Sequence, residues 1–237
     1  MHLQYKKSNS IVNFFGGIID FVLPPVCICC DSPLPADARF VCPDCLSKLK
    51  PVDRDYNIFR DRVHKVKFDG NAISLYWFIE GTEIQHILHS LKYTRMKSIG
   101  KVFGAKIGEE ILSIFPDKYN YAVPVPLHKS KLRERTYNQS DYICRGISEA
   151  LNIKPLEKCL ARTRYTKTQT KLSITEREEN VRGAFALNPK YGDLIKGKNI
   201  ILVDDVITTG STILECARVL KENGCGKVTV CSIALAE

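Results

Sequence analysis

The sequence of 237 residues lacks an apolar run long enough to span a membrane, a low-complexity tract and an export signal. Residues 11–23 are apolar, but this run is shorter than the ~20 residues that a spanning helix needs, and Asn13 and Asp20 interrupt it. No small-residue cleavage site follows it. Its apolar spacing predicts a short amphipathic helix that packs on the protein, with attachment to a membrane surface as the alternative. We therefore expect a cytoplasmic protein without a membrane span.

The composition excludes global disorder and indicates an anionic partner. Hydrophobic residues make up 44% of the chain and charged residues 26%, which is enough apolar material for a buried core. The net charge is +9, and residues 129–171 hold eleven Lys or Arg against four Asp or Glu. Such a concentrated excess favours a phosphorylated small molecule or a nucleic acid as partner. A solvated basic surface is the alternative.

Four of the ten cysteines have the spacing of a zinc site. Cys27 and Cys30 form one C-x2-C pair, and Cys42 and Cys45 form a second after a gap of eleven residues. Two such pairs can surround one Zn²⁺ tetrahedrally, and four protein ligands indicate a structural role for the metal. Cys29 is the rival ligand, but only Cys30 gives the x2 spacing with Cys27. A redox pair or a disulfide is the alternative account.

Near the carboxyl end, the pattern is that of a strand, a loop, a helix and a second strand. The apolar, β-branched residues 200–203 predict a buried parallel strand that ends at Asp204 and Asp205. An amphipathic helix is expected over residues 211–223, with Gly224 after its end, and another strand over residues 228–235. In such a unit the loop lies at the carboxyl end of the sheet, where α/β folds bind ligands.

The loop between this strand and helix has the composition of a phosphate site. It supplies hydroxyl groups, a flexible backbone and the positive end of a helix dipole. It is not a Walker A loop, because no Gly-Lys-Ser/Thr follows. Asp204 and Asp205 would repel a phosphate but suit the 2′ and 3′ hydroxyls of a ribose. A phosphate and a diol together describe ribose 5-phosphate; two capping acids and an ordinary turn are the alternative. The residues expected at the phosphate are Val206, Thr208, Thr209, Gly210, Ser211 and Thr212.

Residues 201–212, Ile-Leu-Val-Asp-Asp-Val-Ile-Thr-Thr-Gly-Ser-Thr, resemble the motif with which type I phosphoribosyltransferases bind 5-phosphoribosyl pyrophosphate (PRPP). Together with cysteine pairs that follow a Leu-Pro-Pro stretch, the motif makes the chain similar to the ComF/GntX (ComFC) family. The resemblance covers nearly the whole chain, and between the two ends it includes residues 123–128, 135–139 and 162–180. One departure stands out: the family usually has Arg-Gly-Phe-Asn-Gln, where this chain has Thr136 and Tyr137.

The resemblance implies a type I phosphoribosyltransferase-like α/β fold, a mostly parallel twisted sheet flanked by helices, with a small N-terminal zinc-ribbon-like module. We expect the helix and the four-cysteine zinc-finger module within residues 1–60 and the phosphoribosyltransferase-type domain within 61–237. Strands are expected near 121–125, 200–204 and 227–234, with a further strand over 71–79.

By the same resemblance, the loop after the first core strand, residues 126–130, contacts pyrophosphate. Basic side chains in or beside it would neutralise a diphosphate. Residues 162–170 are polar and lack a period, which predicts a mobile loop. The resemblance implies that this loop is the flexible hood that closes over PRPP. Mg²⁺ would accompany the diphosphate. The basic residues assigned to this region are Lys92, Lys129, Arg133, Arg135, Arg162 and Lys167, with Lys131 in the same cluster.

Two functions remain open at this stage. The first is an enzyme that transfers phosphoribosyl from PRPP to an unidentified acceptor, with Asp204 and Asp205 at the reacting sugar. The second is a non-catalytic PRPP sensor or adaptor that binds single-stranded DNA or protein partners, and the resemblance links it to DNA uptake in natural competence. Tyr137, Tyr142 and Tyr165 lie among the basic residues and are candidates for stacking on bases, with ordinary packing as the alternative.

Overall fold

The computed structural model describes residues 25–54, 56, 68, 70–94, 96–164 and 180–236. The helix expected over residues 11–23 and the domain boundary expected near residue 60 lie outside these residues. The chain divides between Lys48 and Leu49 into two compact units, each of which is described by itself. Among the described residues, no helix has both the length and the apolar character that crossing a membrane would require.

Over its described residues, 25–48, the smaller unit consists of turns and one helix, α1 (Pro43–Ser47). Pro43 starts this helix, because its missing N–H would have had no partner in the first turn. Cys42 is the N-cap residue, and its sulfur accepts a hydrogen bond from the Cys45 N–H. Val26 and Pro33 form an isolated antiparallel bridge. Residues 25–48 thus have little regular hydrogen bonding, as expected of a segment organised around its cysteines.

The described residues of the larger unit form seven strands, numbered along the chain. They are β1 (Asn71–Phe78), β2 (Tyr121–Pro124), β3 (Lys154–Pro155), β4 (Leu160–Arg162), β5 (Phe185–Leu187), β6 (Ile200–Ile207) and β7 (Val228–Ala236). Five of them form one sheet in the order β1-β7-β6-β2-β3, and every pairing in it is parallel. Strands β4 and β5 form a separate antiparallel pair.

Helices connect the strands, as parallel pairing requires. They are α2 (Glu83–Tyr93), α3 (Lys97–Ile114), α4 (Lys129–Arg135), α5 (Gln139–Leu151), α6 (Gly192–Ile195) and α7 (Ser211–Glu222), with a 3₁₀ turn at Pro189–Tyr191.

Strand β6 lies in the centre of the core and is buried on both faces. Ile200 and Leu202 pack into one apolar cluster with Ile213 and Ala217 of α7. Because side chains alternate along a strand, the fully buried Ile201 lies on the opposite face. This two-sided burial explains why the strand is a continuous apolar run in the sequence instead of an alternating one.

Helices α3 and α5 approach each other closely because glycines lie between them. A Cβ atom added to Gly104 would overlap the carbonyl oxygen of Ile143, and one added to Gly146 would overlap that of Lys101. A Cβ atom on Gly100 would lie 2.9 Å from the Cβ of Tyr142. The position of α5, which carries residues of the site described below, therefore depends on these small residues.

The expected α/β class is confirmed, with helices flanking a parallel sheet. The strands predicted near 71–79, 121–125 and 227–234 are present within one to two residues of those bounds. Strand β6 differs, because it continues past Asp204 and Asp205 as far as Ile207. Val206 and Ile207 remain paired with Ala234 and Leu235 of the long strand β7. The two acids therefore lie within the last part of a strand and not in a loop.

Candidate functional site

Two carboxylates lie side by side at the carboxyl end of β6. Asp204 Oδ1 accepts hydrogen bonds from Ser140 Oγ at 3.2 Å and from the Asp205 N–H at 2.9 Å. Asp205 Oδ1 accepts from the Val206 N–H at 2.9 Å, and its Oδ2 lies 2.9 Å from Lys92 Nζ at the end of α2. Groups from three elements thus fix the orientation of the acidic pair.

The pair divides its charge unequally. Burial, followed by the neighbouring Asp205, raises the pKa of Asp204 well above its ordinary value. Burial acts on Asp205 too, but the charge and the hydrogen bond of Lys92, together with the charge of Arg135, outweigh it and lower the pKa of Asp205. Near neutral pH the anion is therefore concentrated on Asp205, and Asp204 takes up a proton more readily than an exposed aspartate.

A tight turn leads from β6 into α7. Gly210 precedes the helix with φ +79°, a left-handed conformation that residues with a Cβ rarely adopt. Thr209 Oγ1 and Ser211 Oγ are 2.9 Å apart and share a hydrogen bond. Thr208, Gly210 and Thr212 line a cavity, and the first N–H groups of α7 begin there. This geometry is that of an anion site at a helix N-terminus.

The opposite wall of the cavity is basic. Residues 129 and 130 were expected in a loop but form the first turn of α4, so the helix period decides which cations face inward. Lys131 and Arg135, four residues apart, line the cavity, whereas Lys129 and Arg133 are exposed and do not. Burial, together with the charges of Arg135 and Arg162, lowers the pKa of Lys131.

Arg135 is held by two side-chain neighbours. Its Nη1 donates to Gln139 Oε1 at 3.1 Å, and its guanidinium lies 5.3 Å from the centre of the Tyr93 ring. Its Nε is buried and has no hydrogen-bond partner among the described residues. A buried guanidinium N–H beside a cavity indicates where an anionic ligand would bind.

The departure from the family pattern has a structural effect. Thr136, which ends α4, has φ +67°, a conformation that a β-branched residue rarely adopts. The hydroxyl of Tyr137, which a phenylalanine would lack, donates a short hydrogen bond to the carbonyl of Leu91. This turn therefore adopts the left-handed conformation without a glycine, and Tyr137 ties it to the end of α2.

Arg162 reaches the cavity from β4, not from the mobile loop in which it was expected. Its guanidinium lies 5.2 Å from the centre of the Phe185 ring on β5, and the two residues are in register. Lys167 and Tyr165 lie outside the described residues. The antiparallel pair β4–β5 is therefore the element that carries Arg162.

These residues enclose one cavity of about 250 Å³. Several of its residues were absent from the predicted site, although the segment 123–139 had been recognised. His128 and Gln139 line it, and Ser140 supports Asp204 from below. Gln139 belongs to the next helix, α5, so the helical spacing of Lys131 and Arg135 does not extend to it. Its place in the segment 135–139 that resembles the family was the signal in the sequence. The lining is formed by Lys92, Val125, Pro126, Leu127, His128, Lys131, Arg135, Gln139, Arg162, Asp204, Asp205, Val206, Ile207, Thr208, Gly210, Thr212 and Ile213.

Two of the aromatic residues proposed for base stacking are engaged in packing. Tyr137 is buried, and Tyr142 packs edge-on against it at 5.6 Å. Lys97 and Arg145 both lie over the Tyr142 ring. Tyr93, which is 50% exposed beside Arg135, is the aromatic side chain that faces solvent near the cavity.

In the smaller unit, the four predicted cysteines come together. The sulfur atoms of Cys27, Cys30, Cys42 and Cys45 all lie within 4.8 Å of one another. Cys30 Sγ and Cys42 Sγ are 3.8 Å apart. A tetrahedral metal with metal–sulfur bonds of about 2.3 Å requires sulfur–sulfur distances of about 3.8 Å. Cys29 is not part of the cluster, so the four thiols fit one structural metal ion.

The parallel sheet, with an acidic pair and a hydroxyl-rich turn at the carboxyl end of its central strand, defines a phosphoribosyltransferase-type domain. A family model described as the phosphoribosyl transferase domain matches residues 147–236. The competence protein ComFC of Bacillus subtilis is 30% identical over 209 residues, which cover 86% of this chain and 82% of that protein. The chain belongs to the ComF/GntX family.

Other relatives match over shorter stretches. The DNA utilization protein YhgH of Escherichia coli (strain K12) is 34% identical over 151 residues, which cover 61% of this chain and 63% of that protein. The chain therefore spans less than two thirds of that relative. Among solved structures, the glutamine PRPP amidotransferase from B. subtilis is 21% identical, with a TM-score of 0.39 over 60% of this chain and 30% of that one.

Proposed function

We propose that this chain binds PRPP in the cavity at the carboxyl end of β6. One observation carries the proposal: the acidic pair, the turn into α7 and at least three cations surround a single cavity. A ligand that matches all three parts needs a diol, a monophosphate and a more highly charged group. PRPP has all of these, and the family match to phosphoribosyl transferases supports the same ligand.

Each part of PRPP is assigned to one part of the cavity. The 5′-phosphate accepts hydrogen bonds from the turn at Thr208–Thr212 and the first N–H groups of α7. The ribose hydroxyls bind at Asp204 and Asp205. The diphosphate lies toward Lys131, Arg135 and Arg162. Lys92, which forms an ion pair with Asp205, can pair with an oxygen of the bound PRPP instead. Thr209 and Ser211 keep the turn closed through their shared hydrogen bond.

Mg²⁺ fits this arrangement, because carboxylate and phosphate oxygens are the ligands it prefers. Asp204 and Asp205 are the carboxylates that would face it, and it would supply positive charge to the diphosphate and the ribose hydroxyls. The basic wall of the cavity supplies further positive charge from side chains.

The reaction proposed is phosphoribosyl transfer. The bond between ribose C1 and the diphosphate oxygen breaks, the diphosphate leaves with the bonding electron pair, and an acceptor nucleophile forms the new bond to C1. The chain holds the sugar by its hydroxyls and stabilises the leaving diphosphate with Lys131, Arg135 and Arg162. A non-catalytic PRPP sensor is the other function that the same site would serve.

Calorimetric titration of the purified protein with PRPP, with and without Mg²⁺, tests binding. A pyrophosphate-release assay over a panel of nucleobases and amines tests transfer. Binding with release from one acceptor class supports the enzyme. Binding without release from any acceptor supports the sensor, and the absence of binding contradicts both.

We further propose that the four cysteines hold structural Zn²⁺, supported by the distances among their sulfur atoms. Cys42→Ser should lower the zinc content and the melting temperature, because three ligands hold the ion less tightly. Cys29→Ser is the matched control and should retain one equivalent of zinc. A metal-free, equally stable Cys42→Ser protein would contradict the proposal.

A link to DNA handling is the second candidate, because relatives are named a DNA utilization protein and competence proteins. The observation that favours it is the exposed Tyr93 beside Arg135, a residue of the helix α4 that also carries the exposed Lys129 and Arg133. Such a surface suits single-stranded DNA, since bases stack on aromatics and phosphates pair with cations. Affinity for a single strand should then fall steeply as salt rises. Binding that is independent of salt, or unchanged in Tyr93→Ala, would contradict it.

A further inference from the structure

Glu215 on α7 is a buried carboxylate that does not line the cavity. It is 8% exposed and lies one helical turn after Ser211, where the helix begins. Its two oxygens accept hydrogen bonds from Arg218 Nη2 at 2.7 Å and Nε at 2.8 Å. A bidentate pair with arginine already satisfies the charge, so the remaining contact of Glu215 requires its own explanation.

That remaining contact reaches out of the helix. Glu215 Oε1 also accepts the backbone N–H of Gly183 at 2.6 Å. Gly183 lies in the turn before β5, at φ +67°, and this turn is closed by a hydrogen bond from the Ala184 N–H to the Val181 carbonyl. The carboxylate is therefore a polar link between the helix that begins at the phosphate turn and the strand pair β4–β5.

The strand pair in turn carries Arg162. The Thr163 N–H donates to the Ala184 carbonyl at 2.9 Å, and Phe185 lies opposite Arg162 in the register. The ring of Phe185 lies under the Arg162 guanidinium, which lines the cavity. A shift of the turn at Gly183 would therefore move the arginine relative to the cavity.

Apolar contacts alone do not fix this position. Val181, Ala184 and Phe185 pack into the same cluster as α7, which holds the turn against the helix. Apolar packing is non-directional, however, whereas a hydrogen bond to an ionised carboxylate fixes both distance and direction. Burial alone would raise the pKa of Glu215, but the hydrogen bonds from Arg218 and Gly183 outweigh it and lower that pKa. The carboxylate is thus ionised near neutral pH.

We propose that Glu215 is a positioning residue: through Gly183 it holds the strand pair β4–β5 so that Arg162 faces a ligand bound at the N-terminus of α7. The inference rests on the proposed function, because its ligand is PRPP. It assigns a role to a residue that touches neither the ligand nor the cavity, and it makes the α7 helix part of both the phosphate turn and the basic wall.

The test compares calorimetric affinities of the wild type, Glu215→Ala, Arg162→Met and the double variant for two ligands. The ligands are PRPP and ribose 5-phosphate, which lacks the diphosphate. Glu215→Ala should weaken PRPP binding about tenfold, the effect of one charged hydrogen bond. It should leave ribose 5-phosphate binding unchanged, and it should weaken PRPP no further in the Arg162→Met background, because the two residues act as one unit.

Glu222→Ala is the matched control. Glu222 lies on the same helix and accepts a hydrogen bond from the same Arg218, but it lies two helical turns further from the strand pair contact than Glu215 does. The Glu222→Ala variant should bind both ligands with the affinity of the wild type. Glu215→Gln, which retains an acceptor for the Gly183 N–H, should recover part of the affinity and serves as the test if Glu215→Ala does not fold.

Three results would overturn the inference: unchanged PRPP affinity in Glu215→Ala, an equal loss for ribose 5-phosphate, or losses that add in the double variant. Failure of the wild type to bind PRPP is a different result, because it contradicts the proposed function itself and removes the ligand on which the inference depends.

Discussion

The two walls of the cavity are built in different ways. The acidic wall and the phosphate turn come from one continuous segment, residues 204–212, whose backbone is fixed by the central strand β6 and its neighbour β7. The basic wall takes Lys92, Lys131, Arg135 and Arg162 from three separate elements, α2, α4 and β4. Hydrogen bonds of the sheet therefore set the first wall, whereas packing between helices and strand pairs sets the second. Changes far from the cavity should affect mainly the basic wall.

The largest effect is expected on the acidic wall itself. Asp205→Asn removes the carboxylate that pairs with Lys92 and is assigned to the ribose hydroxyls. PRPP affinity should fall at least ~100-fold, since the partly buried Lys92 loses its charged partner and the diol loses an ionised acceptor. Calorimetric titration measures this, and zinc content should remain unchanged.

Asp193→Asn is the control for that substitution. Asp193 makes an exposed ion pair with Lys196 on the surface, where such pairs contribute little. Its PRPP affinity should equal that of the wild type. Wild-type affinity in Asp205→Asn would show that the acidic wall does not hold the ligand.

The next effect tests the packing of α3 against α5, the helix that carries Gln139 and Ser140 of the site. Gly104→Ala places a methyl group against the carbonyl of Ile143 and should force α3 and α5 apart. The free energy of unfolding should drop by about 2 kcal/mol, as overpacking usually costs. Urea denaturation measures it. Gly192→Ala is the matched control, because an added Cβ there meets nothing within 4 Å, and its stability should not fall.

A smaller effect separates the two faces of α4. Lys131→Met should weaken PRPP binding about tenfold, because the lysine lines the cavity, whereas Lys129→Met should leave it unchanged. The salt dependence of binding should also become shallower in Lys131→Met alone. An equal loss of PRPP affinity in the two variants would mean that α4 acts only through its overall charge.

The smallest effect concerns the turn between α4 and α5. Thr136 has φ +67°, where a β-branched side chain is strained. Thr136→Gly should raise the free energy of unfolding by about 0.5–1 kcal/mol, the relief of strain being partly offset by the greater freedom of glycine when unfolded. Thermal unfolding at fixed pH measures it. A less stable Thr136→Gly protein would show that the threonine side chain makes a compensating contact.

The difference between the walls also explains what could be predicted from the sequence. Apolar runs predicted the buried strands, and the contiguous segment 204–212 revealed the acidic pair and the turn, because neighbours in the sequence remain neighbours in a βα unit. The cysteine spacing likewise predicted which four thiols meet. Lys131 and Arg162 could not be placed in the same way. Their positions depend on a helix where a loop was expected and on a strand pair whose partners lie more than twenty residues apart.

Tertiary packing likewise hid the supports of the site. Nothing local in the sequence distinguishes Ser140, which donates to Asp204, from the other serines of the chain. The glycines of α3 resemble helix-weakening residues until the approach of α5 explains them. In both cases the deciding contact is with a residue distant in the sequence.

The most direct test of the central claim, that two differently built walls bind one ligand, is to compare the affinities of PRPP, ribose 5-phosphate and inorganic pyrophosphate by calorimetry under one set of conditions. The account predicts that PRPP binds more tightly than either fragment, because it engages both walls at once. The account would be contradicted if pyrophosphate bound as tightly as PRPP, or if PRPP did not bind.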